Sequence, residues 1–272
     1  MKKLFAFAIT QDLNEKKSTR WPTAISILVL FIIGSILNIP FSRELRRLKI
    51  EAGIPDVILS PSIWDDLPNY LISSTILGVI LVFVGLWISA RANLGAPLIS
   101  RMYSNTSVKG MISWKVIFQS MVLSAGAALI LLALFELQKS LYPVEHILPR
   151  PDKPFYAVVA FSAGITEEIM FRLGLMSLIV VLIQTAKNHI SPTNSTIWIA
   201  ILLSGVFFGL IHLPLSKNFV NPAPFTIAVT MIGNLITGTI FGWIYWKRGL
   251  LVAILAHITF DLVFHVLGSP YA

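Results

Sequence analysis

The stretch Ile165-Thr166-Glu167-Glu168-Ile169-Met170-Phe171-Arg172 places two carboxylates and one guanidinium inside an apolar run from Phe155 to Gln184. Near the centre of a bilayer each such charge costs roughly 2.5–3.5 kcal/mol on insertion scales, so the three groups need partners, water or a function. In a helix, Glu168 and Arg172 stand at i,i+4 and share a face, whereas Glu167 lies about 100° further round. We therefore predict that Arg172 holds Glu168 and that Glu167 is left for another role.

The composition predicts a helical integral membrane protein. Of the 272 residues 56% are hydrophobic and 12% are charged, against about 25% charged residues in soluble domains. The net charge of +8 does not indicate nucleic-acid binding, because the Lys and Arg residues lie in short loops between apolar runs. In such loops they act as topology signals and as contacts to anionic membrane lipids. The absence of cysteine excludes disulfides, thiolate nucleophiles, Cys-ligated metals and S-palmitoylation.

Seven apolar runs are long enough to cross a membrane, and an eighth span would exist if the fourth run were two pieces or the N-terminal segment inserted. We therefore expect an all-α polytopic bundle of about seven or eight membrane helices, with one domain over residues 21–272 and its catalytic core at 155–268. Residues 1–20 are expected to be cytoplasmic or interfacial, and residues 42–50 to form a short surface helix or a plain loop. The fourth run is too long for an untilted span, so it is tilted, kinked or extended beyond the membrane. The predicted spans are 21–41, 70–90, 112–137, 155–184, 197–213, 225–246 and 250–267.

The distribution of Lys and Arg favours a cytoplasmic N-terminus. With that orientation, twelve basic residues lie inside and eight outside. The inside residues are Lys2, Lys3, Lys16, Lys17, Arg20, Arg91, Arg101, Lys109, Lys115, Lys187, Lys247 and Arg248. The outside residues are Arg43, Arg46, Arg47, Lys49, Lys139, Arg150, Lys153 and Lys217.

Besides the Glu-Glu stretch, and Lys115 and Glu136 at the edges of the third span, four ionisable residues lie inside the predicted spans. His212 is near the end of the fifth span, where a lone histidine is more often interfacial than functional. His257 and Asp261 stand at i,i+4 in the seventh span and form either a structural pair or part of a site. His265 continues the same stripe two helical turns from His257 and is expected to be interfacial.

Taken together, charged and imidazole groups on three separate spans predict one polar cavity where those helices converge. A glutamate and a histidine around one water provide general-base hydrolysis, and a His–Asp pair can support an oxyanion. The same groups, Glu167, His212, His257 and Asp261, could instead bind zinc. A mechanism without a metal is favoured. Asn234, on the sixth span, is a candidate to line the cavity.

Three short motifs resemble the CPBP family of intramembrane proteases, which comprises type II CAAX prenyl endopeptidases and bacteriocin-processing and immunity proteins. The family pattern is Glu-Glu-x-x-x-Arg, Phe-x-x-x-His, and His-x-x-x-Asn or Asp on successive membrane helices. Here the motifs run from Glu167 to Arg172, from Phe208 to His212 and from His257 to Asp261. The resemblance covers about residues 155–265 and implies a helical bundle whose active site is open to the cytoplasmic side.

The resemblance also implies a role for each residue. Glu167, with His212, would activate water; Glu168 and Arg172 would hold the arrangement; His257 and Asp261 would form the oxyanion side. Family members described as prenyl-protein endopeptidases often carry Asn in place of Asp261. An ionised aspartate cannot donate a hydrogen bond, so Asp261 would have to be protonated or act by holding His257.

The first hypothesis is therefore an intramembrane endopeptidase that acts on a peptide or a lipidated protein near the membrane surface. A CAAX tail, a bacteriocin leader and a signalling peptide remain open as substrates, with Phe208 and Asn234 as candidate substrate contacts. The second hypothesis is a non-catalytic immunity or scaffold protein of the same fold. The third is an ion-coupled transporter, whose proton relays also use buried Glu, His and Asp.

Overall fold

The computed structural model describes residues 13–56, 60–104 and 114–268, with side chains from residue 19 onward. Its described residues form ten α-helices and two π-helical segments and contain no strand. The α-helices are α1 Leu13–Leu37, α2 Ile39–Glu51, α3 Ile63–Arg91, α4 Pro97–Met102, α5 Trp114–Leu141, α6 Lys153–Glu168, α7 Ser177–Ala186, α8 Asn194–Ser216, α9 Pro224–Arg248 and α10 Leu250–Asp261. The π-helical segments are Ile169–Met176 and Leu262–Leu267.

Seven helical stretches of the described chain are long and apolar enough to cross a membrane. They are Thr19–Glu51, Ile63–Arg91, Trp114–Leu141, Lys153–Ala186, Asn194–Ser216, Pro224–Arg248 and Leu250–Leu267. The predicted all-α polytopic fold and its seven spans are confirmed. The first twelve residues of the expected N-terminal segment lie outside the described residues.

Two details of the sequence prediction are settled by local structure. Residues 42–50 belong to helix α2, which buries Phe41 and Leu48 and places Arg47 against Glu44 and Glu51. The helical alternative for this segment is therefore correct. The fourth span is 34 residues long, and a π-helical segment follows directly after Glu168 and joins α6 to α7. Single π-helical turns inside α-helices are frequent at functional sites.

The helices run between two opposite faces of the bundle. The closed face comprises the start of α1, residues 92–96, α4, residues 187–193 and the turn at Gly249. A hydrogen bond joins Thr19 Oγ1 to Ser100 Oγ (2.6 Å), and Leu250 N–H donates to the Gly95 carbonyl (3.1 Å). Gly249 has a φ of 82°, which glycine adopts without steric cost, and this allows α9 and α10 to join directly.

The cavity face comprises residues 52–56, 60–62, 142–152 and 217–223 and the end of the second π-helical segment. There, Ile147 N–H donates to the Phe219 carbonyl (2.9 Å), and Asn221 N–H donates to the Glu145 carbonyl (3.2 Å). These bonds join the loop before α6 to the loop before α9. The two loops form a rim over the ends of α5, α6, α8 and α9.

Glycines allow the closest helix contacts near the site. A Cβ atom on Gly164 of α6 would lie 2.5 Å from Ile258 Cγ1 and 3.1 Å from Ile258 N of α10. On α9, a Cβ on Gly238 would lie 2.9 Å from Gly205 Cα of α8. The Gly238–Gly242 pattern is thus a packing face. These close helix contacts bring α6, α8, α9 and α10 together around one cavity.

Candidate active site

The three motif-bearing helices converge as predicted. Glu167 and Glu168 end α6, His212 lies near the end of α8, and His257 and Asp261 lie on the last half of α10. Arg172 follows in the π-helical segment. All six side chains predicted for the catalytic cluster therefore lie around one centre in the middle of the bundle.

His257 is the centre of this cluster. Its Nδ1 lies 3.0 Å from Glu168 Oε1, and its Nε2 lies 3.9 Å from Glu167 Oε2 and 3.6 Å from Asp261 Oδ2. Arg172 Nε donates to Glu168 Oε2 at 3.2 Å. Glu168 and Arg172 are completely buried (0% exposed). Glu168 therefore links the guanidinium to the imidazole, and the predicted Glu168–Arg172 ion pair is present.

Glu167 and His212 form the accessible side of the cluster. Their side chains are 22% and 24% exposed, and Glu167 Oε2 lies 3.8 Å from His212 Nε2. His212 Nδ1 lies 2.6 Å from the Phe208 carbonyl. A carbonyl can only accept, so Nδ1 carries the proton and a neutral His212 presents its Nε2 lone pair to the cavity.

Aromatic rings hold both imidazoles in place. Phe241 of α9 stacks on His257, with centroids 4.4 Å apart and planes at 20°. Phe208 contacts His212 at 4.5 Å and stands edge-on to His257 at 6.0 Å. Sequence reasoning did not single out Phe241 for this role, because the residue belongs to none of the three motifs and its ring reaches His257 only through the α9–α10 contact.

The sequence left His257 and Asp261 as either a structural pair or part of a site, and the structure shows no direct hydrogen bond between them. The 3.6 Å separation between His257 Nε2 and Asp261 Oδ2 is too long for a direct bond. Glu168, which the i,i+4 argument assigned only to Arg172, holds the imidazole instead. Helical spacing identified the side chains that share a face. It could not show whether His257 bonds to Asp261 of its own helix or to Glu168 of α6.

The site opens into a cavity of about 770 Å³, within the usual range for ligand sites. Asn234 and Phe208 both line it, as predicted for candidate substrate contacts. The side-chain NH₂ group of Asn234 donates to the Thr230 carbonyl at 2.8 Å. The side-chain oxygen of Asn234 can then accept a hydrogen bond from another partner. His265, expected to be interfacial, lines the cavity near its mouth, where it lies 3.0 Å from Arg150 and stacks on Tyr156.

The residues considered for zinc do not make a metal-binding arrangement. Within the described parts of the chain, no three His, Cys, Asp or Glu side chains are placed to hold a metal ion together. No catalytic step is therefore assigned to a metal ion.

The fold and the cluster define a polytopic helical membrane protein with a glutamate–histidine centre at the base of a cavity. Residues 150–263 match the family model of the type II CAAX prenyl endopeptidase Rce1-like proteins. The resemblance predicted from the three motifs is therefore confirmed over that segment. No curated protein and no solved structure matches the chain. The family domain supports an intramembrane protease.

Proposed function

We propose that the protein is an intramembrane endopeptidase in which Glu167 and His212 activate a water molecule. The observation that carries this proposal is the position of Glu167 Oε2, 3.8 Å from His212 Nε2 and 3.9 Å from His257 Nε2. Among the described residues this oxygen has no hydrogen-bond partner. Polar atoms at such separations are readily bridged by one water, which can lie about 2.8 Å from each.

The chemistry follows from the two sides of the cluster. Glu167 accepts a proton from the water, and the resulting hydroxide adds to the carbonyl carbon of the scissile peptide bond. A tetrahedral intermediate forms with its negative charge on the former carbonyl oxygen. When the C–N bond breaks, the proton held by Glu167 passes to the leaving amine. His212 keeps the water in line through its Nε2.

The oxyanion side is assigned to His257 and Asp261. A protonated imidazole donates from both nitrogens, so His257 can donate to Glu168 through Nδ1 and to the oxyanion through Nε2. Carboxylates of Glu167, Glu168 and Asp261 lie within 4 Å of the ring and balance its charge. Preorganised donors of this kind are usually the largest single contribution to acyl-transfer catalysis.

The proposed substrate is an extended peptide of a membrane-associated or lipidated protein. CAAX-type tails and bacteriocin-type leaders both belong to this class. The cavity supports the proposal because it combines an apolar wall, to which Phe31, Leu77 and Leu131 contribute, with a polar wall along α9 that includes Thr230 and Asn234. An apolar wall accommodates hydrophobic side chains or a lipid, and a polar wall provides partners for peptide groups.

The test is turnover of a fluorogenic peptide library, with and without prenyl groups, by the purified protein. Glu167→Gln should lower kcat at least about 10²-fold, the range of a lost general base, with little change in thermal unfolding. Glu136→Gln is the matched control, because Glu136 is an exposed carboxylate paired with Lys139 outside the cluster.

Three outcomes would contradict parts of the proposal. Full activity of Glu167→Gln would refute the glutamate mechanism. Loss of activity with a chelator, restored by zinc, would move the protein to the metalloprotease class. A complete lack of turnover in the wild-type protein would favour a non-catalytic immunity or scaffold protein.

A further inference from the structure

One side of α9 lines the cavity as a continuous stripe that ends at the catalytic cluster. At 100° per residue, the lining positions from residue 230 onward fall within about 100° of the helix circumference. The ring at the inner end of the stripe, Phe241, stacks on His257 at 4.4 Å. The outer end follows the rim loop at residues 217–223, because α9 begins at Pro224. The members of the stripe are Thr230, Gly233, Asn234, Thr237 and Phe241.

The stripe is uncharged and presents hydrogen-bond acceptors. No residue between Thr226 and Phe241 is ionisable. Thr230 donates its only hydroxyl hydrogen to the Thr226 carbonyl at 2.9 Å, and Asn234 donates one amide hydrogen to the Thr230 carbonyl at 2.8 Å. Each side chain keeps an oxygen that can accept a further hydrogen bond. The stripe therefore favours a neutral ligand that carries hydrogen-bond donors.

The spacing of the two acceptors matches the backbone of an extended peptide. Thr230 and Asn234 are four residues apart, which corresponds to about 6 Å along the helix axis. In an extended chain every second residue faces the same side, and the repeat over two residues is about 6.4–6.8 Å. A helical ligand could not use these acceptors, because its own carbonyls already bind its N–H groups. An extended strand is thus the form of peptide that fits the stripe.

Gly233, which lies beside Asn234 on the stripe, leaves room for a second backbone to approach α9. A Cβ atom on Gly233 would meet no other protein atom within 4 Å. On the same helix, a Cβ on Gly238 would lie 2.9 Å from Gly205 Cα of α8. Gly238 therefore serves helix packing, whereas Gly233 faces open space in the cavity lining. Glycine is the residue that allows the closest approach of a ligand to the backbone.

We propose that α9 binds the substrate as an extended strand, with one backbone N–H donated to Asn234 Oδ1 and a second, two residues away, donated to Thr230 Oγ1. This assignment rests on the proposed protease function and adds the subsite that holds the peptide. Asn234 and Thr230 precede Phe241 by seven and eleven residues, roughly 10.5 and 16.5 Å along the helix. At 3.3–3.6 Å per extended residue, the two bonded N–H groups lie about three and five residues from the scissile bond.

The first test removes single N–H groups from the substrate. The probe is the library peptide that the wild-type protein cleaves fastest, prepared as a set in which one non-scissile peptide bond at a time is an ester. An ester has an oxygen in place of the N–H and cannot donate. We expect KM to rise about 3–10-fold at two positions two residues apart on one side of the scissile bond, with kcat unchanged. A scan without such a pair of positions would overturn the assignment.

The second test connects each acceptor to its own N–H group. Asn234→Leu and Thr230→Val each remove one acceptor at similar size, so each should raise KM about 3–10-fold. Each variant should also abolish the ester effect at one of the two positions and keep it at the other. Thr239→Val is the matched control, because Thr239 lies on the opposite side of α9 with its hydroxyl on the Leu235 carbonyl at 2.7 Å. Ester effects that persist at both positions in both variants would contradict the two contacts.

The third test fills the space beside the stripe. Gly233→Ala should leave thermal unfolding unchanged or raise it, because the added methyl group meets no protein atom within 4 Å. It should raise KM at least about fivefold, since the methyl group takes the place of the bound peptide. Gly126→Ala on α5 is the control, because its Cβ also meets nothing within 4 Å and the position is not part of the cavity lining. Equal KM values for the two variants would overturn the close approach.

The strand assignment and the protease function fail in different ways. Hydrolysis that depends on Glu167 but shows none of these changes in KM would overturn the strand assignment alone. A wild-type protein that hydrolyses no peptide of the library would overturn the protease function and the strand assignment together.

Discussion

At the scale of single residues, the two adjacent glutamates have different surroundings. Glu168 is completely buried between Arg172 and His257, whereas Glu167 is partly exposed to the cavity. A buried carboxylate with two partners is suited to hold a geometry, and an exposed one is suited to exchange protons with water.

We predict that Arg172→Ala lowers both stability and activity. Removing one partner of a buried ion pair leaves an uncompensated charge and costs about 3–5 kcal/mol. His257 also loses its orientation, because Glu168 no longer has its second partner. Thermal unfolding in detergent, together with turnover, measures both effects. Arg47→Ala is the control, since Arg47 forms ion pairs in a partly exposed setting, where about 0–1 kcal/mol is expected. Equal losses in the two variants would contradict the structural role of Arg172.

Asp261 gives a second prediction at this scale. If the residue supports the oxyanion side, Asp261→Asn supplies an amide donor in the same place and should keep turnover within about tenfold of the wild type. Asp261→Leu, similar in size but without a polar group, removes a carboxylate that balances the charge of the donor His257. It should lower kcat by up to about 10²–10³-fold, the cost of losing one oxyanion donor. Equal activity of the two variants would show that no hydrogen-bonding group is needed at this position.

At the scale of the helices, the α6–α10 contact sets the distance between Glu168 and His257. Gly164 makes that contact possible, because any Cβ there would lie against Ile258. The π-helical segment that follows Glu168 places Arg172 in the same packed layer, and Ser177 donates to the Arg172 carbonyl at 3.0 Å. Tyr245 of α9 lies 3.1 Å from Ser177 Oγ. The buried contact between Tyr245 and Ser177 thus stabilises the segment that carries Arg172.

We predict that Gly164→Ala separates α6 from α10 and lowers activity more than stability. Overpacking a helix contact costs about 1–3 kcal/mol, and a shift of a few tenths of an ångström lengthens the 3.0 Å contact between Glu168 and His257. Thermal unfolding and kcat are measured together. Gly126→Ala in α5 is the matched control, since a Cβ there meets nothing within 4 Å. That variant should be neutral or more stable, by up to about 1 kcal/mol. A fully active Gly164→Ala enzyme would contradict the argument.

At the scale of the whole molecule, the cavity joins residues that lie far apart in the chain. Its described lining comes from α1, α2, α3, α5, α6, α8, α9 and α10. The geometry of the candidate site is therefore a property of the whole bundle and not of any one motif.

The sequence by itself determined the fold class, the seven spans and the six residues of the candidate site. This was possible because the cost of a charge in an apolar segment depends on local sequence, so each ionisable group in a span is visible without a structure. The pair Glu168–Arg172 was equally predictable, since both residues lie on one helical segment at i,i+4.

Only the tertiary structure decided how the helices share their partners. It assigned Glu168 to His257, left Asp261 beyond hydrogen-bond distance, stacked Phe241 on the imidazole and placed the cavity mouth at the face opposite to the start of α1. These features depend on the rotation and crossing of helices that are far apart in the chain. Residue spacing along one helix carries no information about that rotation. The packing contacts between helices determine it, and those contacts exist only in the folded structure.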